Sequence, residues 1–282
     1  MYRMFVLQRC PRFLLIIIFT IIRATRTLLC KLISALAPQI THYYCPCCGV
    51  KLRSFFKVKY SNYPENFNQT RYKQTRQDVH CPICRSMPRH RILALWCEEH
   101  KDYLQTSDIL YFAPEKCMSL WMKRNHVACT TADLLSAADL KLDIQETGLP
   151  DGSYDVIIAN HVLEHVDDFR AALKEVQRIL RQNGFFICSF PMDPSIELLD
   201  EEEEPLTAEE RRRRFGQNDH KRVFGMNADR FLTDDGFTVE KIEGKDYPEG
   251  ILPVVGPADY DMNILFCCRK QQAERTIEDK EM

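Results

Sequence analysis

The chain has 282 residues, 45% of them hydrophobic, and a formal net charge of -2. That length and apolar content exclude a wholly disordered chain and leave room for one substantial α/β core plus a small accessory module. With 38 basic residues against 40 acidic ones, there is no global electrostatic pull toward nucleic acid.

Charge is nonetheless uneven at the start. Arg3, Arg9, Arg12, Arg23, Arg26, Lys31, Lys51 and Arg53 all precede the first acidic residue, Glu65, which makes a local basic patch. The patch brackets the apolar run FLLIIIFTII (13–22), shorter than the roughly 20 helical residues that a bilayer core demands. A cleaved signal peptide fits poorly, because Pro38 would follow the Ala35–Ala37 cut and Arg23, Arg26 and Lys31 stand where a less basic stretch is usual. The following TLLCKLISALA continues apolar residues at helical spacing among the bases. That pattern suits an interfacial helix on an anionic membrane surface, with a poorly ordered hydrophobic tail as the plainer alternative. Residues 1–40 are thus expected to form a basic apolar segment. Thirteen cysteines are present, and Cys97, Cys129, Cys188, Cys267 and Cys268 lie in apolar context, where a thiol acts as a small hydrophobe. A reducing cytoplasm is expected, with the chain peripheral on the inner membrane face.

Residues 41–88 carry two Cys-x2-Cys turns, YYCPCCG and HCPICRS. Each turn aims two sulfurs at one point, so Cys45, Cys48, Cys81 and Cys84 could supply four thiolates to a closed tetrahedral zinc site of structural role. Cys47 is a surplus thiol that could compete with Cys48. Between the turns, KLRSFFKVKY alternates like a strand and the polar stretch to Asp78 reads as loop, the outline of a small zinc ribbon. Such a unit buries too little apolar surface alone, so metal would contribute most of its folding free energy. Lys51, Arg53, Lys57 and Lys59 could meet phosphates, although a solvated strand face is the commoner explanation.

From Arg89 the pattern alternates helix and strand. RILALWCEEH reads as helix, DILYF as strand, EKCMSLWMKRN as helix, HVACTTA and LKLDI as short strands, YDVIIANHV as strand, DFRAALKEVQRILRQNG as helix and FFICSF as strand. In the last helix Phe169, Leu173, Val176 and Leu180 share one face, and Asn183-Gly184 is expected to stop it. The alternation predicts an α/β fold with a parallel sheet covered on both sides and a ligand crevice beyond the carboxyl ends of the strands.

The run LPDGSYDVIIANHVLEHVDDFRAALKEVQRILRQNGFFICSFP (149–191) resembles the second half of a class I S-adenosylmethionine-dependent methyltransferase of the type 11 group. It shares the Leu-Pro turn, the aromatic-Asp strand start, Leu-x-His after the strand, Arg-x-Leu in the helix and Gly into the fifth strand. The resemblance covers roughly 89–270 and implies a Rossmann-like, seven-stranded sheet. DRFLTDDGFTVEKIEG would be the last helix and sixth strand, and MNILFCCRK the antiparallel seventh. It also implies S-adenosylmethionine as cofactor, with Asp133 on the ribose hydroxyls, Asp143 and Ile144 at the adenine, and Asn160 and His161 against the methionine half. His165 would orient its loop. Where the family carries Gly-x-Gly after the first strand, this chain has Ala113-Pro114-Glu115. That loop and the cysteine module resemble a bacterial subgroup of the family.

Methyl transfer to a hydroxyl or amine needs a base, and His161, Asp219 and His220 are the candidates. Asp219 and His220 lie in an insertion, 192–225, whose EEEEPLTAEERRRRFGQNDHKRVFG reads as a charged helix with Thr207 and Glu210 at capping-box spacing, then a loop. GQNDHKRVFG also looks like the subgroup's motif and is expected in the acceptor pocket or lid. Residues 271–282 are a polar tail. The function implied is methylation of a small or lipid/glycan-linked acceptor. RNA methylation beside a zinc module and a non-catalytic interaction protein are the alternatives; nucleic acid is disfavoured by the near-neutral charge.

Overall fold

The computed structural model describes residues 41–58, 76–193, 195–248, 250–251 and 264–271, with scattered helical positions between 21 and 36. The expectations for residues 1–20, for the remainder of the ribbon loop at 59–75 and for the tail beyond 271 lie outside the described residues.

Six strands form the central sheet: β5 (Ile109–Phe112), β6 (Thr130–Ala132), β7 (Tyr154–Asn160), β8 (Leu180–Ser189), β12 (Phe237–Glu243) and β13 (Ile264–Lys270), in the order β12-β13-β8-β7-β5-β6. The β6, β5, β7 and β8 neighbours run parallel, while β13 is antiparallel to both β8 and β12, as expected for the last strand. The seventh strand is missing among the described residues. LKLDI does not make it, because Leu140 and Asp143 are held only in isolated bridges, Ala132 to Leu140 and Asp143 to Glu146. Asp139 turns back onto Thr131 instead, accepting from its N–H at 2.9 Å, which folds the segment into a loop.

Pleating divides the apolar residues between two cores. Ile109, Tyr111, Val156, Ile158, Ile187, Leu265 and Cys267 face one side, and Leu110, Phe112, Ile157, Ala159, Phe186, Phe266 and Cys268 the other. Such strands, buried on both faces, belong to the middle of a doubly covered sheet. The first face is covered by α1 (Pro88–Glu99), with α2 (Lys101–Leu104) following it, and by α3 (Lys116–Arg124), through Leu93, Trp96, Met118 and Trp121. The second is covered by α4 (Phe169–Ile179), which buries Phe169, Leu173, Val176 and Ile179, and by α6 (Asp229–Asp234) through Leu232.

Asp168 caps α4, accepting from the N–H groups of Arg170 and Ala171. The helix is shorter than its pattern predicts. Leu180 keeps the apolar phase but takes an extended backbone, ψ 132°, and pairs with Tyr154, so the chain passes straight into β8. Asn183 and Gly184 sit inside that strand. Gly184 is required there, since a Cβ would stand 2.6 Å from the Asp155 carbonyl oxygen.

The cysteine segment folds as two hairpins, β1 (Tyr43–Cys45) with β2 (Val50–Leu52), and β3 (Phe56–Val58) with β4 (Arg76–His80). β4 takes in Arg76 to Asp78, where the polar composition suggested loop. The unit shares a core with the main sheet: Val50, Leu52, Phe55 and Ile83 join Trp96 and Trp121.

The insertion is better ordered than its sequence indicates. Besides α5 (Ala208–Phe215), it builds a small sheet from β9 (Met192–Asp193), β10 (Leu199–Glu201) and β11 (Arg222–Gly225), in the order β10-β11-β9. The capping box forms as expected, Glu210 Oε2 accepting from Thr207 N–H at 2.8 Å. RVFG is a wholly buried strand rather than a loop.

Candidate functional site

The carboxyl ends of β5 and β7 lie side by side, and each runs into a non-glycine residue in left-handed backbone: Ala113 at φ +47° and His161 at φ +57°. Such a conformation costs an L-residue roughly 1–2 kcal/mol and concentrates at functional sites. Ala113 thus adopts the backbone that glycine would adopt in a Gly-x-Gly turn, with its N–H held by the Ala132 carbonyl at 2.8 Å. Its methyl group is the smallest side chain that could stand there in place of hydrogen.

Pro114 leads the chain into α3, and Glu115 is that helix's N-cap residue by backbone, although its side chain does not cap. The carboxylate folds back under the loop. Its Oε1 meets His90 Nε2 at 3.1 Å and accepts from Asn160 Nδ2 at 3.0 Å, and its Oε2 accepts from the Tyr111 hydroxyl. Burial pushes its acidity toward the neutral form, but the His90 contact reverses that and holds the carboxyl below the usual range. Glu115 therefore ties α1, β5 and β7 together, and its oxygens are committed within the protein. Asn160 is equally engaged, accepting from the Ser189 hydroxyl at the end of β8.

Asp133 stands just after β6, where the ribose carboxylate was expected, and its Oδ1 accepts from the N–H groups of Leu135 and Ser136 at 2.8 and 2.6 Å. Asp143 follows in the edge loop, bonded to Gln145 at 2.9 Å, with Ile144 buried beside it. The loop is pinned from below: Glu175 of α4 accepts from Thr147 N–H at 2.9 Å, and Gln145 Oε1 accepts from Asp168 N–H at 2.6 Å. Arg178 and Thr147 together hold the Glu175 carboxyl down to about 2. Ala113, Asp133, Asp143, Asn160 and His161 thus all come from segments at the carboxyl edge of the sheet, as a nucleoside cofactor would require.

The three base candidates are not equivalent. His161 Nδ1 lies 3.1 Å from Glu164 Oε1, and burial pushes its pKa down. His220 is buried, its Nδ1 facing the Phe215 carbonyl oxygen at 3.2 Å, and burial pushes it down to about 4. Asp219 points outward with its side chain 62% exposed, 3.4 Å from His165 Nδ1. His165 is tied into this group by contact with Glu164, Asp219 and the ring of His220.

Sequence reasoning missed Glu164, and it placed Arg222 in the pocket or lid motif without its structural role. Glu164 is fully buried. Burial alone would raise its carboxyl, and the His161 ring, 3.1 Å away, opposes that rise. The signal was an acid inside the apolar run HVLEHV, flanked by histidines. Arg222 is buried on β11 and donates to the carbonyls of Leu163, Val166 and Asp167 at 2.7, 2.7 and 2.9 Å, locking the insertion onto the loop after β7. Its Nε meets Glu201 at 2.6 Å.

The four cysteines converge at the other side of the sheet. Zinc with Zn–S bonds of about 2.3 Å has sulfur-to-sulfur edges of about 3.8 Å. Cys45 and Cys84 sulfurs are 3.7 Å apart and Cys48 and Cys81 sulfurs 3.8 Å, all four lying within 4.8 Å of one another. The set fits a tetrahedral metal. Cys47 is not part of it: its thiol donates to the His90 carbonyl at 3.3 Å. Arg91 lies buried beside the thiolates, donating to the Ser86 carbonyl and stacked 4.1 Å over the Phe55 ring, a cation suited to a metal–thiolate centre of net negative charge.

Residues 119–188 match the family described as Methyltransferase domain. That span holds Asp133, Asp143, Asn160, His161 and Glu164, and leaves the Ala-Pro-Glu loop, the knuckles and the insertion outside. Over 51 residues the chain is 37% identical to the reducing polyketide synthase Preu2 of Preussia isomera, a stretch amounting to 18% of this chain and 2% of that protein. Among solved structures it is similar to the YcgJ protein of Bacillus subtilis, at 16% identity and a TM-score of 0.45, over 65% of this chain and 100% of that one. It is also similar to the 1,6-didemethyltoxoflavin-N1-methyltransferase of Burkholderia thailandensis, at 13% identity and a TM-score of 0.45, over 65% of this chain and 80% of that one. The domain match, on a sheet of this topology, supports an S-adenosylmethionine-dependent methyltransferase as the class of the α/β unit.

Proposed function

We propose that the protein transfers a methyl group from S-adenosylmethionine to a small or lipid/glycan-linked acceptor at the cytoplasmic face of a membrane, with zinc in the cysteine knuckles as a structural staple. The supporting observation is the left-handed Ala113 at the end of β5, which gives the Ala-Pro-Glu loop the backbone path of a glycine turn beside Asn160 and His161.

The cofactor, when bound, supplies a methyl group on a sulfonium, which leaves without further activation. The protein's task is then to align the acceptor and take its proton. In this reading Asp133, whose Oδ1 already accepts from the Leu135 and Ser136 N–H groups, offers Oδ2 to the ribose hydroxyls, and Asp143 and buried Ile144 give adenine a polar and an apolar contact. His161 is the base of choice: burial favours its neutral form, and its Nε2 has no hydrogen-bond partner, so it can accept a proton from an acceptor hydroxyl.

A small acceptor is favoured over RNA because the basic side chains of the insertion are already paired, Arg211 with Glu202, Arg214 with Asp200 and Arg222 with Glu201. Such pairs are not free to neutralise a phosphate backbone. The membrane reading draws on Ile21, Ile22, Leu28, Leu29, Leu32 and Leu36, helical positions spaced along one face, each at least 43% exposed. No helix among the described residues is long and apolar enough to cross a membrane.

Calorimetry of the full chain with S-adenosylhomocysteine tests the cofactor assignment. Saturable binding that weakens on Asp133→Ala is expected, and no heat at millimolar ligand would leave a non-catalytic protein. Sedimentation with anionic lipid vesicles tests the surface assignment. Association lost on deleting 1–40 supports it, and no association removes it.

A further inference from the structure

Glu164 is completely buried, yet neither of its carboxylate oxygens has a hydrogen bond. An ionised carboxylate removed from water without a partner costs several kcal/mol. Its ion-pair neighbours are imidazoles, His161 at 3.1 Å and His165 at 3.9 Å, and neither geometry closes a hydrogen bond. A donor atom from each of Glu164, His165 and His220 lies within 4.8 Å of the others.

The histidines are oriented from outside. Nδ1 of His220 faces the Phe215 carbonyl oxygen at 3.2 Å, so that nitrogen must carry the proton. Nε2 is then a lone pair, and it is buried without a hydrogen-bond partner. The same division holds at His165, whose Nδ1 faces Asp219 Oδ2 at 3.4 Å while Nε2 is turned toward Glu164. Imidazoles whose outer nitrogen is held by a carbonyl or carboxylate and whose inner nitrogen points at a shared centre have the outer-shell arrangement of metal ligands.

We propose that Glu164, His165 Nε2 and His220 Nε2 form a second metal site, distinct from the cysteine knuckles, for a divalent first-row transition ion. One carboxylate and two imidazoles suit zinc, iron, cobalt or manganese and leave coordination positions for oxygen ligands from outside. The site answers the unsatisfied atoms directly, since a cation would satisfy the carboxylate and both inner nitrogens together. It also joins the loop after β7 to the insertion, which the Arg222 lock already ties together, with Glu164 and His165 coming from the loop and His220 from the insertion.

The test is metal stoichiometry on the full chain, which does not depend on methyl transfer. Zinc-replete protein is treated with excess Co(II), desalted, and its total bound metal measured together with its visible spectrum. Two metal ions per chain are expected, the second giving ligand-field bands without thiolate charge transfer where cobalt occupies it. His165→Ala and His220→Ala should return the count to one. Asp219→Ala, an exposed change that spares the core, should weaken the second ion by at least about 10-fold through His165. A wild-type count of one overturns the site. So does a count of two that Asp219→Ala and His165→Ala both leave unchanged in affinity, whether or not His220→Ala folds.

Discussion

The cysteine knuckles and the carboxyl edge of the sheet bring polar groups together in two different ways. At the knuckles the design is local: two short turns each place a pair of sulfurs, and tertiary structure has only to bring the turns together. At the sheet edge nothing local suffices. Ala113, Glu115, Asn160 and Ser189 come from three strands and work only because β5, β7 and β8 are adjacent and in register. The contrast teaches that donor spacing can be written in five residues, whereas a backbone path for a cofactor is a property of the whole sheet.

The strongest way to break the contrast is to strip the metal. Structural zinc is worth about 10–16 kcal/mol in small modules, as much as a whole domain's stability. Because Cys45, Cys81 and Cys84 share a buried cluster with Trp96 and Tyr111, a strong chelator or Cys84→Ser should lower the melting temperature of the entire α/β unit. A sheet that melts unchanged, followed by far-ultraviolet circular dichroism, would mean that the two regions are energetically separate.

Next in size is Glu115→Ala, which leaves His90, Tyr111 and Asn160 facing an empty space at once. Removing one partner of such a buried network costs about 3–5 kcal/mol, readable in urea unfolding, and Glu115→Gln should recover part of it. A loss under about 1 kcal/mol would show that the hub is not shared between the two regions.

Ala113→Gly probes the backbone path itself. Relief of the left-handed conformation, about 1–2 kcal/mol, is partly offset by glycine's greater freedom in the unfolded chain, about 0.5–1 kcal/mol. A net gain of about 0.5 kcal/mol is expected from these two terms. A destabilised variant would show that the methyl group packs rather than strains.

The smallest effect is a pH slope. Glu175, held down to about 2 by Arg178 and Thr147, binds its proton later in the folded chain than in the unfolded one. Its contribution is present above the unfolded pKa and is lost as pH falls from about 4.5 toward about 2. Glu175→Gln should flatten unfolding stability across that window, with variant and wild type converging only at about pH 2 and below. A parallel curve would place Glu175 outside the linkage.

Much of this was legible from residues alone. The paired turns named the four cysteines whose sulfurs converge, the 169–176 face named the helix on the second core, and the final antiparallel strand was recognisable from its apolar run. What stayed hidden was tertiary. No local pattern tells that LKLDI loses its strand to a turn at Thr131, or that Leu180 leaves the helix to pair with Tyr154 while keeping its apolar phase. Glu115 read as a cofactor-binding residue beside Ala113 and Pro114, because the partners that take up its oxygens lie 25 and 45 positions away. Glu164 was masked by its apolar neighbours, and β11 by a polar run whose buried Arg222 spends its donors on carbonyls rather than solvent.

His90 begins a relay between the two regions. It stands on the first helix after the second knuckle and grips Glu115, which in turn grips Asn160. A shift of that helix at its knuckle end would therefore pass through His90 and Glu115 to Asn160 at the carboxyl edge of the sheet.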